Sequence, residues 1–197
     1  MPRPFVGLFV FAVCVSAAVA QPPPGLPCPR IQNVFPGGAR VGTTVDITIN
    51  GQDLDEPSSL LFSHAGIKGE YVAPPPPDPK KPPVPQDQRE KAASRGPHNF
   101  KVTVAPDVPV GLHDVRVVTR FGVSNPRAFL IGDLPEVNEK EPNNDVPEAQ
   151  RVEIGTTVNG TISANTDVDY TVFTAKKGQR VLVSCLRSEE HTSELQS

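Results

Sequence analysis

The stretch TVDITIN, residues 44–50, alternates apolar and polar side chains without a break. Successive side chains on a β-strand point to opposite faces, so this spacing places Val45, Ile47 and Ile49 on one face. An Asn-Gly pair ends the stretch, and such a pair is typical of a turn. The stretch therefore predicts a half-buried β-strand whose three apolar side chains enter a core.

The sequence around this strand repeats the pattern in short segments separated by turn residues. Candidate strands lie at 30–35, 44–50, 60–63, 66–72, 100–104, 115–117 and 127–131. About seven short strands in this length favour an antiparallel sandwich of the immunoglobulin type.

One segment, residues 73–98, breaks that pattern with nine prolines in 26 positions and a charged run. Proline cannot donate a hydrogen bond to a sheet, so we expect this insert to leave the sandwich as an exposed spacer loop. A ligand for a proline-binding partner is the alternative.

The composition of the 197-residue chain also indicates an all-β fold. It has 24 prolines, 15 glycines and no tryptophan, and no segment has the pattern of a long amphipathic helix. The length fits two small sandwich modules joined by a linker better than one large core. The formal net charge of -3 lacks the basic excess that a phosphate-backbone binder needs, so we expect no nucleic-acid partner.

Residues 1–20 have the features of a secretory signal peptide. Arg3 precedes an apolar run, and Ala18 and Ala20 form an A-x-A cleavage pattern. The run is short for a membrane span, so we expect cleavage near Gln21 and no span in the mature chain. A retained anchor is the alternative. A proline-rich lead, residues 21–29, follows, and the predicted location is extracellular or in the cell envelope.

The first predicted sandwich carries a recognisable motif. An apolar segment ends in Pro36-Gly37-Gly38, and Gly42, the alternating strand and Gly51 follow. On these residues, positions 30–132 resemble the IPT/TIG family of immunoglobulin-like domains, with the insert 73–98 as a departure. The resemblance implies a non-catalytic module for spacing or protein contact.

A second motif begins in the acidic segment 133–150. Its parts are EPNN at 141–144, Ala149, VNG at 158–160, Asp167, DY at 169–170 and GQ at 178–179. On these residues, positions 139–186 resemble the first half of a bacterial pre-peptidase C-terminal (PPC) domain, a β-sandwich appended to many secreted proteases and other exported proteins. The resemblance implies a linker at 133–150 and an incomplete, jelly-roll-like domain at 151–186.

Candidate strands of this second domain lie at 157–163, 167–175 and 180–185. Three strands cannot close a core between two sheets. We therefore expect this part of the chain to expose apolar side chains.

The last eleven residues, RSEEHTSELQS at 187–197, show no periodicity. They resemble the in-frame translation of a common sequencing-library adapter, and a natural polar tail is the alternative. Under the adapter interpretation, the native sequence stops near Leu186, so no chemistry is assigned to the tail.

Oxygen-bearing side chains are concentrated in EKEPNNDVPEAQ, residues 139–150. Calcium takes about six to eight oxygen ligands, and alternation along an extended segment would place four of these side chains on one side. The four are Glu139, Glu141, Asn143 and Asp145. The other interpretation is a solvated linker in which Asp145 or Asn144 caps a turn.

The resemblance to the PPC family extends the calcium hypothesis. Collagen-binding relatives of that family bind calcium through acids of the leading segment together with acids of the sandwich. The resemblance implies that Asp167 and Asp169 supply the second group here, so calcium is the one candidate cofactor.

No arrangement of residues predicts catalysis. His64, His98 and His113 are scattered without a zinc-binding spacing, and we expect each to be a surface or edge residue. Adjacent His113 and Asp114 would point to opposite faces of a strand, which excludes them as partners in a catalytic triad. Cys28 and Cys185 could pair in an oxidising compartment, but they fall in different predicted domains, so unpaired thiols are expected.

Two classes of function remain open. The first is an exported, non-catalytic protein that strings β-sandwich modules together for adhesion, spacing or cell-envelope interaction, with an extracellular protein or polysaccharide as partner. The alternative is the accessory N-terminal part of a secreted hydrolase, such as a protease, with its catalytic domain downstream. Direct binding of carbohydrate or collagen is a third possibility. A downstream HExxH motif or Ser/His/Asp set would decide against the first.

Overall fold

A computed structural model describes residues 25–76, 82–163 and 166–186 of the chain. The predicted signal peptide, positions 77–81 of the proline-rich insert and the predicted adapter-derived tail lie outside the described residues.

The first part of the described chain forms one nine-stranded β-sheet. Its strands are β1 (Arg30–Phe35), β2 (Gly38–Arg40), β3 (Thr44–Gln52), β4 (Ser59–Phe62), β5 (Ile67–Val72), β6 (His98–Val104), β7 (Gly111–Thr119), β8 (Gly122–Val123) and β9 (Arg127–Gly132). Their spatial order is β1-β3-β6-β5-β4-β7-β9-β2, and β8 pairs with β7. The prediction of a β-rich fold is confirmed.

The sheet is mixed, although the sequence predicted antiparallel pairing throughout. β2 runs parallel to β9, and the other neighbours are antiparallel. The reason is that the chain turns at Pro36 and Gly37, after β1 has paired with β3, and crosses to β9. β1 and β2 therefore lie at opposite ends of the strand order although they are neighbours in sequence.

Alternating side chains build one apolar core on the inner face of this sheet. β6 alternates buried and exposed residues along its whole length, with Phe100, Val102 and Val104 buried. In β3, Ile47 and Ile49 are 1% and 0% exposed. Val45 packs against the same core. The predicted inner face of β3 is thus confirmed.

Two polar side chains connect β1 with β9 and with the segment just before β9. Arg127 on β9 is buried, and its Nε and Nη2 donate hydrogen bonds to the carbonyl oxygens of Ile31 (3.0 Å) and Gln32 (2.9 Å) on β1. Asn125 accepts from the Ile31 amide (2.6 Å) and donates to its carbonyl (3.2 Å). The β1–β3 register shifts between Ile31 and Asn33. A bulge of this kind leaves a backbone group without a ladder partner, and Arg127 supplies one to Gln32.

The insert between β5 and β6 ends in a short helix, α1 (Gln86–Arg95). None of its residues is buried, so the helix is stabilised by the high helix propensity of its Gln, Arg, Glu, Lys and Ala residues and not by packing. The Ser94 carbonyl accepts from the Leu54 amide (2.8 Å), and the Ser94 hydroxyl accepts from the Asp53 amide (3.2 Å). The insert therefore leaves the sheet, as predicted, but its far end is anchored to the chain just after β3.

His98 is the first residue of β6 and is 5% exposed, so its prediction as a surface or edge residue, within the insert, is wrong. The alternation of β6 places it on the inner face with Phe100, two positions further on. Burial lowers the pKa of His98, while a hydrogen bond with the Ala93 backbone and the charge of Asp55 act in the opposite direction. Its Nε2 is buried without a hydrogen-bond partner among the described residues.

His98 should make the stability of the sheet depend on pH. The pKa of His98 is lower in the folded chain than in the unfolded chain, so at a pH between the two pKa values the unfolded chain binds more protons. The free energy of unfolding therefore falls as the pH drops from above the unfolded pKa toward the folded pKa. One such group contributes a slope of at most about 1.4 kcal/mol per pH unit. Urea unfolding at pH 7.5 and 5.5 should show a loss at the lower pH that is absent from His98→Phe. An equal loss in both proteins would contradict the assignment to His98.

The chain after β9 forms two small parallel sheets. Their strands are β10 (Glu136–Asn138), β11 (Gln150–Arg151), β12 (Thr157–Asn159) and β13 (Thr171–Val172). β10 pairs with β12, and β11 pairs with β13, both in parallel. The prediction of antiparallel pairing is wrong here, because β12 and β13 pair with the preceding acidic segment and not with each other. Residues 180–185 form no strand, although one was predicted.

This second part exposes many apolar side chains, as the sequence predicted. Those at least 37% exposed between β12 and residue 186 are Ile162, Val168, Tyr170, Val172, Phe173, Val181, Leu182, Val183 and Leu186. Two two-residue and two three-residue strands provide too little sheet to cover them.

Candidate metal centre

Three acidic side chains from two separate segments converge beside the small parallel sheets. Glu139 and Glu141 follow β10, and Asp169 precedes β13. One carboxylate oxygen from each lies within 4.8 Å of those of the other two. The Glu139 amide donates to the Asn159 carbonyl (2.8 Å), which extends the β10–β12 pairing to the site. We call these three residues the acid cluster.

Glu139 is fixed at one carboxylate oxygen and free at the other. Its Oε1 accepts a hydrogen bond from the Thr161 amide (2.5 Å). Its Oε2 is buried and has no hydrogen-bond partner among the described residues. A Cβ added at Gly160 would lie 2.6 Å from this Oε2 and 3.7 Å from Asp169 Oδ2. The absence of a side chain at Gly160 therefore leaves the space beside Oε2 open.

The charges of the site repel one another. Burial raises the pKa of Glu139 above its ordinary value, and the Thr161 hydrogen bond opposes that shift. The negative charges of Asp169, Glu141 and Asp167 raise this pKa further. A cation placed among these carboxylates would remove that repulsion.

Asn143 lies at the base of the acid cluster and is 1% exposed. The Asn143 backbone amide donates to Glu141 Oε2 (3.1 Å). The Asn143 backbone carbonyl accepts from the backbone amide of Tyr170 (2.9 Å), the residue after Asp169. With the side-chain nitrogen facing the acids, Asn143 donates to Glu141 Oε2 (3.0 Å) and Asp169 Oδ1 (3.3 Å). Rotation of the Asn143 side-chain amide by 180° would turn its oxygen toward the acids instead, and an oxygen is the ligand that a calcium ion prefers.

Two of the six residues predicted as ligands have other partners. Asp145 Oδ1 accepts from the Val146 amide (2.7 Å) and caps the 3₁₀ turn Val146–Glu148. This turn ends the extended conformation on which the one-sided arrangement of the acids depended. Asp167 Oδ2 accepts from the amide (2.5 Å) and hydroxyl (2.7 Å) of Ser163. The structure therefore brings together Glu139, Glu141, Asn143 and Asp169.

The sequence did not indicate that three further residues, Gln150, Gly160 and Thr161, contribute to this site. Gly160 and Thr161 follow β12, and only its parallel pairing with β10 brings them to Glu139. The Asn159-Gly160 pair in the VNGT stretch is a turn signal, and it carries no information about a partner of Thr161 that lies 22 positions away.

Other polar groups do not form a comparable cluster among the described residues. The rings of His64 and His113, which we expected to be scattered, lie 5.9 Å apart between centroids. His113 contacts Ser63 Oγ through Nδ1 (3.3 Å) and the Pro109 carbonyl through Nε2 (2.9 Å). Asp114 is exposed where His113 is half-buried, as expected for opposite faces of β7.

The two cysteines of the described chain, Cys28 and Cys185, are exposed free thiols. Within the described ranges, no helix has the length and apolar character needed to cross a membrane. No protein-family model matches the chain, and no curated protein matches it either.

Proposed function

We propose that this chain is a non-catalytic part of an exported protein, with a first β-rich module for spacing or protein contact and a second module organised by a calcium ion. The acid cluster with the buried Asn143 carries the proposal. Three carboxylates and one amide supply only oxygen ligands, which suit a hard cation such as calcium. The buried, unpaired Glu139 Oε2 is otherwise costly, because a buried polar atom without a partner destabilises the fold.

The bound ion would supply positive charge and little else. Glu139 and Glu141 would anchor the segment that follows β10, Asp169 would anchor the start of β13, and Asn143 would offer its amide oxygen between them. The ion would thus tie two chain segments whose direct backbone contact at this point is the Tyr170–Asn143 hydrogen bond. Calcium fits this arrangement better than zinc, because no imidazole or thiolate belongs to the acid cluster.

The adhesive or spacing role rests on the module type and on the exposed surface. The described part of the chain presents a long, exposed insert and many exposed apolar side chains in the second module. The resemblances to IPT/TIG and PPC domains support the same assignment, with an extracellular or envelope protein or polysaccharide as the partner.

Calcium titration of the whole chain tests the metal proposal. We expect saturable shifts of the Thr161 and Tyr170 amide signals in NMR spectra, since these amides donate to Glu139 and Asn143. A calcium concentration of 100 times Kd should add about 2.7 kcal/mol to the stability of the second module. Sodium at matched ionic strength is the control. Unchanged amide signals at 10 mM calcium, about ten times the weakest Kd of extracellular calcium modules, would refute the proposal.

A further inference from the structure

Gln150 makes three hydrogen bonds that converge on the acid cluster. Its side-chain Oε1 accepts from the Lys140 amide (2.8 Å), and its Nε2 donates to the Asn138 carbonyl (3.1 Å). Its backbone amide donates to the Tyr170 carbonyl (2.9 Å). One residue therefore contacts both segments that carry the acids.

The partners of Gln150 are the immediate neighbours of two cluster residues. Asn138 and Lys140 flank Glu139, so the Gln150 side chain holds the backbone on both sides of that acid. Tyr170 follows Asp169, so the Gln150 backbone holds the other side of the cluster. The side-chain amide of Gln150 thus makes the kind of hydrogen bonds to the backbone at Asn138 and Lys140 that a neighbouring strand would make.

We infer that Gln150 is a positioning residue for cation binding, because it sets the separation between the Glu139 and Asp169 carboxylates. This inference rests on the function proposed above. One carboxylate oxygen from each residue of the acid cluster lies within 4.8 Å of those of the other two, and repulsion between their charges tends to separate the two segments. Gln150 resists this separation with a neutral group that adds no charge of its own.

A positioning role has a consequence for ion size. Calcium accepts oxygen ligands at about 2.3–2.6 Å, whereas magnesium requires about 2.0–2.1 Å and near-ideal octahedral geometry. Acids that are held at a fixed separation favour the larger ion, because they cannot close around the smaller one. Loss of Gln150 should therefore weaken calcium binding and also reduce the preference for calcium over magnesium.

The test is isothermal titration of Gln150→Leu and wild-type chains with calcium and with magnesium. Leucine removes both side-chain hydrogen bonds, retains similar bulk and leaves the backbone bond to Tyr170 in place. We expect calcium affinity to fall about tenfold, the usual lower limit when a group that orients a metal ligand is removed. The calcium-to-magnesium affinity ratio should fall severalfold.

The matched control is Gln179→Leu, since Gln179 Oε1 also accepts a local backbone hydrogen bond, from Lys176 (3.0 Å), but Gln179 does not belong to the acid cluster. This variant should bind calcium as the wild type does. If the wild type binds neither ion, the proposed function fails. If the wild type binds calcium and Gln150→Leu binds it equally well, or loses affinity for both ions in the same proportion, the positioning role fails and calcium binding stands.

Discussion

Replacement of Arg127 by methionine is expected to lower the free energy of unfolding of the nine-stranded sheet by about 3 kcal/mol, from the loss of two charge-assisted hydrogen bonds. The Arg127 guanidinium donates to the carbonyl oxygens of Ile31 and Gln32, which belong to the strand at the far end of the sheet order. Without it, Gln32 loses a partner that the bulged β1–β3 ladder does not replace.

The removal of a buried charge can itself be stabilising, because that charge no longer has to be desolvated. This gain depends on replacing the partners as well. The two carbonyls that accept from Arg127 belong to the backbone, so no side-chain substitution removes them. The Ile31 carbonyl keeps Asn125 as a donor, so the Gln32 carbonyl, which has no ladder partner, should dominate the result.

Urea denaturation measures the effect, with Arg40→Met as the control. Arg40 is an exposed arginine on β2, so its replacement should change stability by less than about 0.5 kcal/mol. Arg127→Lys should lie between the two, because a single ammonium group cannot reproduce the two-point contact of a guanidinium. A stability of Arg127→Met within 0.5 kcal/mol of the wild type would show that β1 does not depend on this contact.

Seven of the nine strands of the first sheet could be predicted, because each of the seven is specified locally. Val45, Ile47 and Ile49 in β3, and Phe100 and Val102 in β6, occupy positions that a period of two assigns to one face. Similar alternation in β9 places Arg127 on the same side as Phe129 and Ile131, so the sequence contained a signal for its burial.

The pairing of the strands could not be predicted in the same way. Arg127 and Ile31 are 96 positions apart, and nothing in either segment specifies the other. The short strand β2 has three residues, too few to show a period. Such contacts depend on how the whole sheet curves around its core, so local patterns do not determine them.

The convergence of acidic side chains in the acid cluster was predicted in part for a related reason. Acidic and amide residues in one short segment indicated oxygen ligands, and Glu139, Glu141 and Asn143 do converge with Asp169. The prediction that four side chains lie on one side of an extended segment is wrong at Asp145, which caps a 3₁₀ turn. Composition predicted the kind of ligand, whereas parallel pairing with later strands determined which residues meet.

Asp169→Asn is expected to weaken calcium binding by about 100-fold, or about 2.7 kcal/mol, because it removes one negative charge and one ligand oxygen from the site. The same change should leave the metal-free chain as stable as the wild type, or more stable, since Asp169 repels Glu139. Calcium should therefore reverse the order of stability of the two proteins. Thermal unfolding of the second module with 10 mM calcium and with a chelator would measure this reversal.

The control for the charge change is Glu148→Gln, an exposed acid on the neighbouring 3₁₀ turn, which should retain wild-type calcium affinity. If it weakens binding as much as Asp169→Asn, general electrostatic attraction explains the effect and the acid cluster is not a specific site.

Gly160→Ala tests the same site without changing any charge. The Gly160 backbone is not among the glycines with positive φ, so alanine is compatible with its conformation. Its Cβ would lie 2.6 Å from Glu139 Oε2 and would force that flexible carboxylate away from Asp169. We expect calcium affinity to fall about tenfold, as for other changes that displace a ligand, with the metal-free stability nearly unchanged. Because Asp169→Asn removes a ligand and Gly160→Ala only displaces one, weaker binding in both variants requires that the ion lie between Glu139 and Asp169. Full calcium affinity in Gly160→Ala would instead place the ion away from Glu139 Oε2.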